Sequence, residues 1–294
     1  IMKNNKGIEY NTTGNQQRVD MCQYHRKPSV LNHSHGAKFV DVKSISTRVL
    51  STQNGYSSFF TVGFEIEKST FGRGARKEYA LIQGYERDGS CGVEAVTNIL
   101  PLIPPSQWRN KVFDMIFKAR KIMDDDTSPS NFRCGGHITI GVRGLSGENI
   151  RKKVRLNSAI FMALFRKRLK NNYCKHNLRM ESEYGEETNH FNRWHWKYQF
   201  ALVKDNCFEF RIPSRITSYK QMFRRYELMY HILDFSIYKP TAQFSTLLRK
   251  VKPIILSMYE GDVEKTDNIL LLAKDFRKFI KEGKISENIR DFIV

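Results

Sequence analysis

Two glutamates stand two positions apart in an otherwise apolar segment, residues 62–67 (VGFEIE). Successive side chains of a β-strand point to opposite faces, so Glu65 and Glu67 would project together while the apolar side chains project the other way. Two carboxylates on one face of a strand suit a divalent cation, because hard cations such as Mg²⁺ prefer oxygen ligands. The segment therefore predicts a strand with one chemically active face.

The same alternation recurs in two later segments. Residues 136–140 (GHITI) carry His137, and residues 208–212 (FEFRI) carry Glu209 and Arg211. In each segment the polar side chains would lie on one face and the bulky apolar side chains on the other. Three such strands favour a single sheet whose apolar face is covered and whose open polar face carries the chemistry.

A metal site is the chemistry that this polar face fits best. Carboxylate oxygens suit Mg²⁺ or Mn²⁺, and an imidazole nitrogen occasionally joins them. A single glutamate in a strand is usually a solvent-facing side chain, but these segments also contain glycines, which weaken a strand unless backbone or ligand must approach closely. The candidate ligands are Glu65, Glu67, Glu94, His137 and Glu209, and the glycines are Gly63, Gly92, Gly135 and Gly136.

The chain is strongly basic, with a formal net charge of +19 over 294 residues. Residues 141–180 hold eleven lysines and arginines against one acid, Glu148. A basic segment of this kind attracts polyanions such as nucleotide phosphates, nucleic acid or an acidic substrate. The alternative is a solvated basic helix that only aids solubility. The sequence leaves both interpretations open.

Cysteine usage and hydropathy indicate the compartment. The five cysteines are scattered and odd in number, which favours reduced thiols and a cytoplasmic protein. No apolar run approaches the roughly 18 residues of a membrane span, so we expect no membrane partner.

The order of the predicted elements favours an α+β fold with an antiparallel sheet covered on one face by helices. A polar N-terminal extension would occupy residues 1–57, a catalytic domain residues 58–240, and a helical segment residues 241–294. We expect strands near 59–67, 78–87, 92–100, 134–142, 194–203 and 207–213. We expect helices near 106–123, 148–172, 219–238, 242–259 and 265–282.

Four short motifs follow one another along the chain. They are residues 63–67 (GFEIE), residues 88–94 (DGSCGVE), residues 134–137 (CGGH), and Lys197-Tyr198 leading to Glu209-Phe210-Arg211. In this order they resemble the amidoligase family, which belongs to the glutamine synthetase-like carboxylate–amine ligases. The resemblance covers residues 58–240 and leaves both ends of the chain outside it. It implies a glutamine synthetase-like catalytic sheet.

The resemblance implies an ATP-dependent reaction that joins a carboxylate substrate to an amine substrate. ATP would phosphorylate the carboxylate, and the amine would displace phosphate from that acyl phosphate to form an amide. Mg²⁺ or Mn²⁺ and an arginine would offset the negative charge of the phosphoryl group, which is the usual protein contribution to phosphoryl transfer.

The resemblance also implies a role for each matching residue. The four glutamates would hold two or more metal ions between the ATP phosphates and the substrate. His137 would lie at the metal or nucleotide edge, and Arg211 would bind the transferred phosphoryl group. Arg193 and Lys197 would contact further phosphates. The implied catalytic residues are Glu65, Glu67, Glu209 and Arg211.

One position departs from the family pattern. The family commonly has His-x-His where this chain has His137 and Thr139. A threonine hydroxyl can hydrogen-bond a nucleotide phosphate, but it cannot replace imidazole as a metal ligand. Two functions therefore stay open. One is the ATP- and Mg²⁺-dependent ligase, and the other is a catalytically weakened ligase fold that binds nucleic acid through residues 141–180.

Overall fold

The computed structural model of the chain describes residues 2–3, 9–10, 60–77, 79–97, 100–102, 105–142, 145–170, 200–204 and 207–282. The predicted N-terminal extension therefore falls almost entirely outside the described residues. Within it, β1 (Met2–Lys3) pairs with β2 (Glu9–Tyr10) in a minimal antiparallel hairpin.

A seven-stranded antiparallel sheet forms the centre of the described structure. Its strands are β3 (Phe60–Lys68), β4 (Ile82–Asp88), β5 (Gly92–Thr97), β6 (Leu100–Leu102), β7 (Ile138–Val142), β8 (Ala201–Lys204) and β9 (Cys207–Phe210). Six of them are hydrogen-bonded in the order β4-β5-β3-β7-β9-β8, and β6 pairs with β3. The predicted combination of an antiparallel sheet with helices is confirmed.

The central strand, β3, changes partners along its length. Residues 60–62 pair with β6 and residues 65–68 pair with β5, while β7 lies along the other edge. At the change of partner, the backbone N–H of Phe64 donates to Oγ1 of Thr97 at 2.9 Å. A buried backbone N–H needs an acceptor, and here the threonine hydroxyl supplies it at the junction between β5 and β6.

The apolar face of the sheet is buried in the hydrophobic core. Phe60, Phe64 and Ile66 of β3 are exposed by 2%, 1% and 0%. Helical side chains pack directly on this face, and the ring centroids of Phe161 and Phe210 lie 4.7 Å apart. Burying a side chain of this size contributes about 1.5–3 kcal/mol. A register shift of one residue would expose the whole set, so the apolar alternation fixes the register.

Seven α-helices accompany the sheet in the described residues. They are α1 (Pro105–Lys118), α2 (Arg120–Met123), α3 (Gly147–Val154), α4 (Ala159–Leu164), α5 (Tyr219–Leu233), α6 (Phe244–Met258) and α7 (Val263–Glu282). The hydroxyl of Ser218 caps the start of α5 by accepting from the N–H of Gln221 at 3.2 Å, and a π-helical turn, Asp234–Tyr238, extends its end. The helices predicted near 106–123, 219–238, 242–259 and 265–282 are confirmed, although the first is divided into α1 and α2.

The basic helix predicted over 148–172 is not continuous in its described residues. The chain instead forms the two short helices α3 and α4, separated by a turn, and then a 3₁₀ turn. Within the first turn, the Ser158 hydroxyl donates to the carbonyl of Arg155 at 2.5 Å, and Asn157 donates to the Ser236 hydroxyl at 2.9 Å. These side-chain bonds compete with the helical pattern, which explains the break.

The two C-terminal helices join the same hydrophobic core. α6 packs against α5, and α7 packs against α4. The Arg155 guanidinium also donates to the carbonyl of Ile280 at 2.8 Å. None of the helices in the described ranges is long and apolar enough to cross a membrane. The division into domains at residues 57 and 240 and the cytoplasmic location stay predictions.

Removing the Thr97 hydroxyl should weaken the sheet at its centre. Thr97 is 3% exposed, so Thr97→Val would leave the Phe64 N–H buried without an acceptor. We expect the free energy of unfolding to fall by about 1–3 kcal/mol in urea denaturation. Thr97→Ser keeps the hydroxyl and is the matched control, with a smaller expected loss. Equal stability of the valine variant and the wild type would contradict this account of the junction.

Candidate metal centre

Strand register brings three of the predicted ligands together. Glu67 lies directly opposite Glu94 in the β3–β5 ladder, and Glu65 lies on the same face opposite Val96. Like charges that face each other across two strands are unfavourable. The pairing of β3 with β5 therefore brings the carboxylates of Glu67 and Glu94 close together although they repel each other.

The loop before β7 adds His137 to the same face. The backbone N–H of Glu65 donates to the carbonyl of His137 at 3.1 Å, which fixes the two residues side by side. Nδ1 of the imidazole lies 2.5 Å from Oε2 of Glu65, and Nε2 lies 3.4 Å from Oε1 of Glu67. The imidazole thus contacts both carboxylates of β3.

Glu209 of β9 completes the cluster. It pairs with Thr139 in the β7–β9 ladder, and its Oε1 lies 3.9 Å from Nδ1 of His137. Two groups of three residues each offer ligand atoms within 4.8 Å of one another, and the two groups share Glu65. The groups are Glu65, His137 and Glu209, and Glu65, Glu67 and Glu94. All five predicted metal ligands therefore converge.

The polar face is buried, not open. Glu65, Glu67 and Glu94 are 6%, 5% and 4% exposed, and Glu209 is 0% exposed. The expectation of an open face is wrong, and so is the alternative that these glutamates face solvent. Within the described residues, the basic side chains that contact these four buried carboxylates are those of His137 and Arg211, so carboxylates are in excess there. In a low-dielectric interior such an excess is costly unless cations offset it, so the donor set fits divalent metal ions.

Arg211 stands beside the carboxylates, as the alternation with Glu209 predicts. Its Nη1 donates to Oε1 of Glu209 at 2.5 Å. Burial alone would lower the pKa of Arg211, but the carboxylates of Glu209, Glu65 and Glu67 outweigh that effect and the pKa is raised. The guanidinium therefore stays charged and offsets part of the negative charge of the cluster.

Close approach explains three of the four motif glycines. Gly92 has a φ of +124°, which L side chains rarely adopt, and a Cβ there would lie 2.4 Å from the carbonyl oxygen of Ser69. A Cβ on Gly135 would lie 3.0 Å from Nε2 of His137, and a Cβ on Gly136 would lie 2.6 Å from a carbonyl oxygen. At Gly63 the nearest atom would be 3.9 Å away, an ordinary contact. Close approach by protein atoms is confirmed for three glycines; no protein atom closely approaches Gly63, for which the prediction of close approach by a ligand stays a prediction.

The loop that carries His137 also holds Glu67. The backbone N–H of Gly135 donates to Oε2 of Glu67 at 2.5 Å. Arg168 in turn donates from Nη1 to the carbonyl of Cys134 at 3.1 Å. Nothing in the spacing of the basic segment distinguishes Arg168 from its neighbours, so the sequence does not place it at the site. Its contact with the loop depends on the tertiary fold.

Three other predicted residues have different outcomes. Thr139 is half-buried on β7, where it pairs with Gly63 on one side and Glu209 on the other. Arg193 and Lys197, the two further phosphate contacts implied by the resemblance, lie outside the described residues.

The described part of the basic segment is divided between internal contacts and solvent. Arg155 and Arg168 both donate to backbone carbonyls of other elements, at 2.8 and 3.1 Å. Part of the predicted basic surface therefore holds the fold together. Its exposed lysines in the described ranges are Lys152, Lys153 and Lys167.

Comparison with known proteins adds no assignment to this geometry. No protein-family model matches the chain, and no curated protein sequence matches it. The functional interpretation therefore rests on the five converging ligands and on the motif resemblance.

Neutralising one carboxylate should stabilise the metal-free protein. Glu94→Gln removes the repulsion with Glu67 across the ladder, so we expect the free energy of unfolding to rise by up to about 1 kcal/mol, or about 2–4 °C in Tm. Because a ligand is lost, the same variant should show a smaller rise in Tm on addition of Mn²⁺. Thermal unfolding with EDTA and with Mn²⁺ measures both effects.

Glu148→Gln is the control for this experiment. Glu148 pairs with Arg151 on α3, away from the cluster, and its neutralisation should leave the Mn²⁺ effect unchanged. A lower Tm of metal-free Glu94→Gln than of the wild type would contradict the argument from repulsion.

Proposed function

We propose that the protein is an ATP- and Mg²⁺- or Mn²⁺-dependent carboxylate–amine ligase with a glutamine synthetase-like catalytic sheet. The observation that carries the proposal is the pair of buried ligand groups that share Glu65. An anionic cluster able to hold more than one cation suits a reaction in which ATP phosphates and a substrate carboxylate must meet. The motif resemblance supplies the reaction class.

The two ligand groups differ in their chemistry. Glu65, Glu67 and Glu94 offer only oxygen atoms, which Mg²⁺ prefers, whereas His137 adds a nitrogen to the group completed by Glu209. Cations bound there would offset the negative charge of the phosphates and the substrate carboxylate. The strand ladders hold the backbones of the four glutamates in place, which keeps their carboxylates near one another.

Arg211 would bind the phosphoryl group during transfer. Its Nη1 is bonded to Glu209, whereas its Nε has no hydrogen-bond partner within the described part of the chain. A buried guanidinium with a remaining donor suits a phosphoryl oxygen, to which it can form a charge-assisted hydrogen bond. Arg211 is therefore the residue that we assign to the transferred group.

The reaction needs no nucleophilic side chain. A carboxylate oxygen of the substrate bonds to the γ-phosphorus of ATP as the bond from that phosphorus to ADP breaks. The amine nitrogen would then bond to the acyl carbon as the bond from that carbon to the phosphate oxygen breaks, and the departing phosphate would take the proton that the nitrogen loses. The protein groups named above would act by charge and position, which are the main protein contributions in phosphoryl transfer.

Thr139 fits a nucleotide contact better than a metal ligand. It shares the polar face with His137, and its hydroxyl can donate to a phosphate oxygen. Each ligand group already contains three candidate ligands without it. This supports a ligase in which threonine stands where the family commonly has a second histidine.

The alternative function, nucleic-acid binding, would rest on the exposed lysines of the basic segment. Phosphate contacts made by surface lysines do not require a buried cluster of carboxylates. A ligase, in contrast, accounts for the convergence of the five candidate ligands and for the buried Arg211. We therefore favour the ligase.

Metal binding and phosphate release test the proposal directly. With Mn²⁺ or Mg²⁺, the wild type should release phosphate from ATP with a productive pair from a panel of amino acids and amines. Glu65→Gln should lose Mn²⁺ binding in calorimetric titration and lose turnover, because Glu65 belongs to both ligand groups. Glu148→Gln is the matched control. Failure of the wild type to bind Mn²⁺ and ATP would end the proposal.

Arg211→Met separates charge compensation from metal binding. It removes the cation bonded to Glu209, so the cluster becomes more negative and Mn²⁺ affinity should not fall. Phosphate release should fall about 10²–10³-fold, as for other single donors that stabilise developing charge. Unchanged release by this variant would show that Arg211 does not bind the phosphoryl group.

Reversing the exposed lysines distinguishes the two functions. The triple change Lys152→Glu, Lys153→Glu and Lys167→Glu should leave phosphate release unchanged if the protein is a ligase. Salt-dependent nucleic-acid binding that this variant loses, and that Glu65→Gln retains, would instead favour the alternative.

A further inference from the structure

Arg225 of α5 is a buried cation whose described hydrogen-bond partners are all neutral. Its Nη1 donates to the carbonyl of Ser214 at 2.6 Å, and its Nη2 donates to Oγ of Ser214 at 3.1 Å and to the carbonyl of Arg215 at 3.3 Å. The side chain is 0% exposed. Burial, together with the nearby guanidinium of Arg168, lowers its pKa to about 9. A cation held at this cost needs a structural or functional reason.

The segment that Arg225 holds joins two parts of the metal centre. Ser214 forms a bridge with Gly135, and the N–H of Gly136 donates to the carbonyl of Pro213 at 3.1 Å. In the chain, the segment that contains Pro213 and Ser214 directly follows β9 and Arg211. The two glycines to which it is joined directly precede His137. The strand that carries Glu209 and the loop that carries His137 are therefore joined at the point where Arg225 binds.

Other residues pack closely against the Arg225 guanidinium on two sides. A Cβ on Gly136 would lie 2.7 Å from Nη1 of Arg225 and 2.6 Å from the carbonyl oxygen of Ser214. On another side, Cζ of Arg225 lies over the ring of Phe165, 5.0 Å from its centroid. The guanidinium thus occupies space that any other residue at position 136 would need, which gives it one well-defined position.

We infer that Arg225 is a positioning residue of the metal centre. Arg225 bonds to Ser214 and packs against Gly136. Through these two contacts it fixes the distance between the loop of His137 and the strand of Glu209. It touches neither metal nor substrate and acts through these two ligands. The inference rests on the metal centre of the proposed function. It predicts that a change at Arg225 alters metal affinity more than it alters stability.

The test compares Arg225→Lys and Arg225→Met with the wild type in Mn²⁺ titrations. Lysine keeps the charge, but its donors are on a single nitrogen and cannot reproduce the two-nitrogen fork that reaches Ser214 and Arg215. We therefore expect about tenfold weaker Mn²⁺ binding, and about 100-fold weaker binding for methionine, as for groups that orient metal ligands. The Mn²⁺ electron paramagnetic resonance spectrum should also change shape, because the ligand arrangement is less uniform. A purely structural residue would lower Tm without moving either readout.

Arg277 provides a matched control. Its Nη1 donates to a neutral acceptor, Oδ1 of Asn157, at 2.6 Å, and its Cζ lies over the ring of Phe244 at 4.5 Å. It is therefore another guanidinium with a neutral acceptor and an aromatic face, but on α7. Arg277→Met should lower Tm and leave Mn²⁺ affinity unchanged.

A separate variant covers the case in which Arg225→Met does not fold. Gly136→Ala retains the guanidinium, but the added Cβ would clash with Nη1 of Arg225 and with the carbonyl oxygen of Ser214, so it should weaken Mn²⁺ binding in the same direction as Arg225→Lys. If the wild type binds Mn²⁺ and both of these variants bind it equally well, the role of Arg225 is refuted and the metal centre stands. If the wild type binds no Mn²⁺, the proposed function fails and this inference fails with it.

Discussion

Repulsion among buried carboxylates is the constraint on which the rest of this structure depends. Glu65, Glu67, Glu94 and Glu209 lie on one buried face, and like charges in a low-dielectric interior cost free energy at short range. The arrangement persists because the opposite face of the same sheet is packed into the hydrophobic core. Stability gained on the apolar face thus holds together a polar face on which bound cations would offset the repulsion.

Several hydrogen bonds hold the charged side chains of the sheet in place. The N–H of Gly135 bonds Glu67, and Arg211 bonds Glu209. At the end of β3, the fully buried Lys68 donates from Nζ to the carbonyl of Met123 and to Asp125, both at 2.6 Å. The donors of Gly135 and Arg211 bond to carboxylates on the polar face, and the bonds of Lys68 anchor β3 on the opposite face. Binding of a metal by Glu65 and Glu67 would therefore be connected to the stability of the fold through β3.

Much of the sheet was predictable because alternation along a strand is a local property. The strands at 60–68, 92–97 and 207–210 were expected from their apolar residues, and so were the polar side chains between them. The basic helix over 148–172 failed as a prediction for a different reason. Its composition suits a helix, but Asn157 and Ser158 form hydrogen bonds that break it, and the partner of Asn157 is Ser236, far away in sequence.

The sequence by itself determined which side chains share a face, which of them could bind a metal, and that the opposite face must be covered. Only the tertiary structure decided that the polar face is buried, that the five ligands form two groups around Glu65, and that Arg168 and Arg225 hold the loop and the segment beside them. The physical reason is the range of the interactions. Strand alternation depends on neighbouring residues, whereas burial and convergence depend on strand order and on contacts between distant segments.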